Sequence, residues 1–91
     1  PMIVAISGHR FDTDKAKRKW ILSHHDGRNR HTGALYLSPR GTWYVETPSQ
    51  WANGHRLETI DAAEAIERYG NDYLEDDEVK EILALAKLET E

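Results

Sequence analysis

Read for the alternation of apolar and polar positions, the chain divides into a β-rich first two thirds and a helical last third. The run MIVAIS is apolar and partly β-branched and ends at Gly8, which predicts a strand over about 2–7. Between Gly8 and Lys17 neither period is sustained. Asp12 suits a helix cap with Asp14 in the first turn, and Phe11 and Ala16 then take the staple positions. Ala16 and Trp20 nevertheless make too thin a stripe for a helix. The stretch reads as a basic loop or single turn leading into a strand at about 18–24, with Trp20, Leu22 and His24 on one face.

The sharpest local pattern is GALYLSPRGTWYVET. Two β-rich runs, 34–38 and 42–47, flank Ser38-Pro39-Arg40-Gly41. Pro39 pre-sets the first central dihedral of a type I turn, and Gly41 supplies the positive φ that returns the chain. Leu35, Leu37, Trp43 and Val45 fall on one side of this hairpin, and Tyr36, Tyr44 and Glu46 on the other. PSQWANG reads as a loop and HRLETI (55–60) as a further strand.

Beyond Ile60 the period changes. Asp61 and Glu64 resemble a capping-box pair, Ala62, Ala65, Ile66 and Tyr69 form a stripe, and Gly70 stops a helix over about 62–69. Glu75, Asp76, Asp77 and Glu78 favour the N-terminus of a second helix over about 75–88. Its face is Val79, Ile82, Leu83 and Ala86, widened by Leu85 and Leu88 beyond what one small sheet needs. The expected architecture is α+β: an antiparallel β-meander of three to five strands within about 2–60, followed by two C-terminal α-helices, in one domain over 1–91.

Composition narrows the function classes. With 38 % hydrophobic residues the 91-residue chain supports one modest core, to which its eight aromatic residues contribute heavily. There are no cysteines, hence no disulfide, Cys-zinc site or thiol nucleophile. No apolar run reaches membrane-spanning length, and no basic-then-apolar leader opens the sequence, so the expectation is a cytoplasmic protein without membrane contact. The net charge of −4 conceals a division. Residues 1–40 carry eight Lys/Arg against three acids, whereas residues 41–91 carry four against thirteen. Two surfaces with different partners, head-to-tail self-association, or an acidic helix layer over a basic sheet edge would each produce that split.

Candidate chemistry concentrates in SHHDGRNRHTG (23–33), which holds three of the five histidines and two arginines. Metal binding requires converging donors. His24 and His25 are neighbours on a strand and point to opposite faces, and no recognised ligand spacing is present, so no metal or cofactor is expected. His24 and His31 can meet across a hairpin and, flanked by Arg28 and Arg30, have the residue types of a ribonuclease-like acid–base pair, though no orienting group is evident. A third reading is contact with phosphate or single-stranded nucleic acid through Arg28, Arg30 and Arg40 beside exposed Tyr36 and Tyr44. The overall pI near 5.7 opposes a dedicated nucleic-acid binder. The plainest reading is a solvated hairpin loop, because Asp26-Gly27 is turn chemistry.

Two further features bear on function. Pro1 is the residue type that 4-oxalocrotonate-type tautomerases use as a base. Their first strand leads into a long helix, however, which Lys15–Lys19 match poorly. Trp51, in a loop, suits an interface anchor. Leu35-Tyr36, Ser38-Pro39-Arg40-Gly41, Trp43, Ser49-Gln50-Trp51 and the Ile60–Ala65 helix start together resemble small bacterial proteins of prophages, plasmids and toxin–antitoxin loci. Those share Leu-Tyr-x-[ST]-x-x-Gly-x-Trp, then Ser-x-Trp, then a short acidic helix. The resemblance spans roughly residues 33–70 and carries over no catalytic residue. It implies a non-enzymatic, antitoxin-like or accessory protein. The expectation is therefore a protein-interaction module with a protein partner, dimerising through Ile82, Leu85 and Leu88. The alternative is a nucleic-acid binder or a nuclease dependent on His24 and His31.

Overall fold

A computed structural model describes residues 2–6, 8–51 and 56–87. In chain order it contains β1 (Ile3–Ile6), β2 (His9–Asp12), a 3-10 turn over Thr13–Lys15, β3 (Arg18–His25), β4 (Arg30–Leu37), β5 (Trp43–Ser49), β6 (Leu57–Thr59), α1 (Ala62–Tyr69) and α2 (Asp76–Leu85). β3 to β6 form a four-stranded antiparallel meander, β1 and β2 a separate two-stranded ribbon. The α+β architecture, a β-meander followed by two helices, is as expected from the sequence. The expected basic loop before β3 is instead β2 and the 3-10 turn. Phe11 is why: its ring is buried, so this segment is held against the sheet.

β4 organises the molecule. Every residue from Gly33 to Leu37 is buried, and consecutive strand residues face opposite ways, so both sheet faces must be covered. On one face Trp20, Leu22, Leu35, Leu37 and Val45 pack with Ile60, Ala62, Ala65, Tyr69, Leu74 and Ile82 beneath the helices. On the other, Ala34, Tyr36 and Tyr44 pack with Phe11 from β2, flanked by Ile6, Ala16 and Leu57. Phe11 stacks on Tyr44 with centroids 4.2 Å apart and planes 3° from parallel. A pair of this kind adds about 0.5–1.5 kcal/mol beyond area burial.

The turn joining β4 to β5 follows its sequence chemistry. Gly41 N donates to Ser38 O at 3.0 Å, Ser38 N to Thr42 O at 2.8 Å, and Gly41 has φ +87°. At the other end of this strand pair the register slips between Thr32 and Ala34, so Thr47 and Pro48 together oppose Gly33. Pro48 has no N–H to give the ladder, which makes the bulge the place for it. A Cβ on Gly33 would run into the Glu46 carbonyl oxygen and lie 2.8 Å from the Pro48 nitrogen.

The helices depart from the sequence reading in three details. Asp61 stands at the N-cap of α1 without a side-chain cap bond, and Glu64 pairs with Arg68 at 2.8 Å. Gly70 is right-handed, φ −63°, and the chain continues through a turn that delivers Leu74 to the core. One expected oligomer contact also needs correction: Ile82 is wholly buried inside the protein's own core, while Leu85 is partly buried against that core. Leu88 lies outside the described residues. α2 is secured by an unexpected polar bond, from the Trp20 indole N–H to Glu81 Oε1 at 2.6 Å. Trp20 is itself stacked with Trp43, centroids 5.5 Å apart.

Two substitutions test this arrangement. Gly33→Ala should lower stability by about 1–3 kcal/mol, since backbone atoms rather than a mobile side chain must yield. A denaturant midpoint unchanged from wild type would contradict the close approach. Glu81→Ala should cost about 1–3 kcal/mol by orphaning a buried indole N–H, whereas Glu81→Gln, which keeps an acceptor, should recover most of that loss. Both are read by urea titration followed through tryptophan emission.

Candidate functional site

The His/Arg-rich stretch forms the end of β3, a four-residue loop and the start of β4. The pairing sets His24 directly opposite His31 and His25 opposite Arg30. Within the loop the Asp26 carboxylate is the organising group. Its Oδ1 accepts from the Arg28 and Asn29 amides at 2.9 and 2.8 Å, and its Oδ2 meets His31 Nε2 at 2.9 Å. Asp26 N donates back to Asn29 O at 3.1 Å, closing the loop. Gly27, at φ +94°, directs its amide to His25 Nδ1 at 3.1 Å. That contact places the proton of a neutral His25 on Nε2. Arg30 donates to Ser23 Oγ at 2.8 Å across the strands.

These contacts explain the electrostatics. Asn29 and Arg28 backbone amides first, then His31, hold the Asp26 carboxyl far below its ordinary value of 3.8. The orienting group missing from the acid–base reading of the sequence is thus Asp26, whose turn chemistry does not announce its bond to His31. Its position five residues before His31, on the far side of a tight loop, is the available signal.

The geometry is less suited to catalysis than the residue types. Although His24 and His31 share a register position, their rings have different partners. The His24 ring lies against Tyr73, centroids 5.2 Å apart, while His31 is bonded to Asp26. A two-histidine phosphoryl mechanism needs both rings turned toward one substrate. Among the described residues no group of three His, Asp or Glu is placed to hold a metal ion.

The other candidate binding residues do not converge. Arg28 and Arg30 are exposed at the loop end of the sheet, and Thr32 pairs with Ser49 there, bringing Trp51 to the same end. Trp51 is 66 % exposed, as its loop position suggests. Arg40 is at the opposite end, separated by the length of β4, roughly 20 Å or more at strand rise. The expected exposed tyrosine platform is not there: Tyr36 is 4 % and Tyr44 3 % exposed, because the β1–β2 ribbon and Phe11 cover that face. Burial first, and Glu46 second, raises the Tyr36 phenol above its ordinary 10.0. Lys19 instead lies over the outer part of that ring, 5.6 Å from its centroid.

Comparison with protein-family models, with curated proteins and with solved structures finds no match to this chain. Among the described residues no helix is long and apolar enough to cross a membrane.

The loop makes a pH prediction. Because its carboxyl is depressed in the folded state, Asp26 contributes stability that is complete above the ordinary carboxylate range. That contribution is lost as pH falls below that range. In a carboxyl NMR titration from about pH 6 to 2, Asp26 should show no inflection near 3.8, unlike an unconstrained aspartate. An inflection at the ordinary value would mean that the loop bonds do not form in solution.

Proposed function

We propose that the protein is a non-enzymatic binding module that captures an extended, acidic segment of another protein as an additional strand along β3. The observation that carries this reading is the edge itself. β3 is eight residues long and, among the described residues, has a sheet neighbour on one side only. Its outer backbone N–H and C=O groups are therefore a template for strand addition. Ile21, near the middle of the strand, is 50 % exposed and offers an apolar contact.

Charge selects the occupant. Arg18 and Lys19 are exposed at one end of β3, with His25 and Arg30 at the other. An acidic segment complements both ends. A second copy fits less well, because two-fold pairing sets the Arg18–Lys19 end of one edge against the His24–His25 end of the other, where the adjacent carboxylate, Asp26, is already engaged by two amides and His31. Single-stranded nucleic acid would find the cations and Trp51 at the loop end, but the burial of Tyr36 and Tyr44 removes the row of rings along the sheet face that successive bases would need.

The test is an amide NMR titration of the full chain with an acidic β-prone peptide, its Lys-substituted counterpart and an oligothymidine. The acidic peptide should shift Arg18–His25 selectively, and Ile21→Lys or Lys19→Glu should weaken it by about tenfold, at exposed positions where folding is undisturbed. Preferential binding of oligothymidine, concentration-dependent dimerisation through β3, or silence of the β3 amides would each overturn the reading.

A further inference from the structure

At the end of the sheet away from the His/Arg loop, a cleft of about 390 Å³ opens between β2 and the Ser38–Gly41 turn. Its volume lies within the range of small-molecule sites. Three separate segments bring permanent cations to it: Arg10 from β2, Lys15 from the 3-10 turn and Arg40 from the β4–β5 turn. None of the three is in an ion pair with a described carboxylate. The carboxylate in the lining is Asp12, and its Oδ1 already accepts from the Asp14 amide at 2.9 Å. With Asp12 counted against the three cations the cleft still carries an excess of positive charge, in a chain whose net charge is −4.

The site is built as well as charged. Arg40 projects from a turn closed by the Gly41-to-Ser38 backbone bond and by Thr42 N donating to Ser38 Oγ at 3.0 Å. Lys15 follows the Asp12-capped turn. Phe11 and Tyr44, stacked on each other and almost wholly buried, back the cleft, and beside such packing charge–charge attraction is less screened than in open water. Two guanidinium forks and an ammonium suit a dianion with several oxygens better than a single carboxylate. We propose that this cleft binds a small organic phosphate, its phosphoryl group held among Arg10, Lys15 and Arg40 and its remainder along the lining at Ser38, Pro39 and Thr42. This site is separate from the β3 edge and does not depend on it.

Isotope-labelled protein titrated with ribose 5-phosphate, inorganic phosphate and neutral ribose tests the assignment. Ribose 5-phosphate should give saturable amide shifts confined to residues 9–15 and 38–44, with inorganic phosphate weaker at the same residues and ribose silent. Arg40→Gln should weaken ribose 5-phosphate about fivefold, and Arg10→Gln/Arg40→Gln more than tenfold. Arg28→Gln, at the other end of the sheet, should leave it unchanged. All of these side chains are exposed, so the variants should retain the wild-type spectrum elsewhere. The proposal is overturned by shifts that do not saturate, by equal sensitivity to Arg28→Gln, or by ribose binding as well as its phosphate.

Discussion

Leu35 and Tyr36 are adjacent in one strand, point to opposite faces of one sheet, and are both kept from water. The rest of the structure follows from that constraint. A single helix layer satisfies Leu35 and leaves Tyr36 wet; a second cover is required, and the chain makes it from its first strands rather than from another helix. Burying a leucine-sized side chain is worth about 1.5–3 kcal/mol, and Leu22, Leu35, Val45 and Ile82 are all essentially inaccessible on the helix side. The opposite face is secured by rings, Phe11 stacked on Tyr44 and edge-on to Tyr36 at 5.9 Å.

Covering both faces moves the places available for recognition to the margins of the sheet. Among the described residues no aromatic platform remains on either sheet face, and the exposed Trp51 lies at the loop end. What remains is the unpaired side of β3, the loop at one end and the cleft at the other. The loop is the most conspicuous of these in composition and the most internally occupied in structure. Asp26 engages two amides and an imidazole, His25 receives Gly27, and Arg30 holds Ser23. Groups so engaged must give up existing partners before they serve a substrate. The cations of the cleft face no such competition from described carboxylates.

Much of the fold was legible because its signals are local. Pro39 and Gly41 fix their turn regardless of context, and the α1 stripe Ala62, Ala65 and Tyr69 emerges buried as its spacing implies. What escaped depends on contacts distant in sequence. Phe11 looks like a lone aromatic in a basic stretch until Tyr36 and Tyr44 are set beside it. The unbroken Ala34–Leu37 run is itself the mark of a strand covered on both sides, a mark that counting alternate positions divides into an inner and an outer set. Glu81 reads as one more surface acid until Trp20, 61 positions away, reaches it. The candidate sites were less legible for the same reason. His24 and His31 were correctly foreseen as cross-strand neighbours, but Tyr73 and Asp26 decide where their rings go. The convergence of Arg10, Lys15 and Arg40 requires the ribbon to dock first.

The two covers of the sheet are unequal. Among the described residues, eleven buried side chains join the cluster beneath the helices and only four the cluster beneath the β1–β2 ribbon. Local opening free energies follow the apolar contact that each unit must break. By that measure the ribbon, among the described residues, has less apolar contact to break than the helix layer. Phe11, Tyr36 and Tyr44 are sealed together beneath that ribbon, a surface of wholly different chemical character from the one the molecule shows at rest.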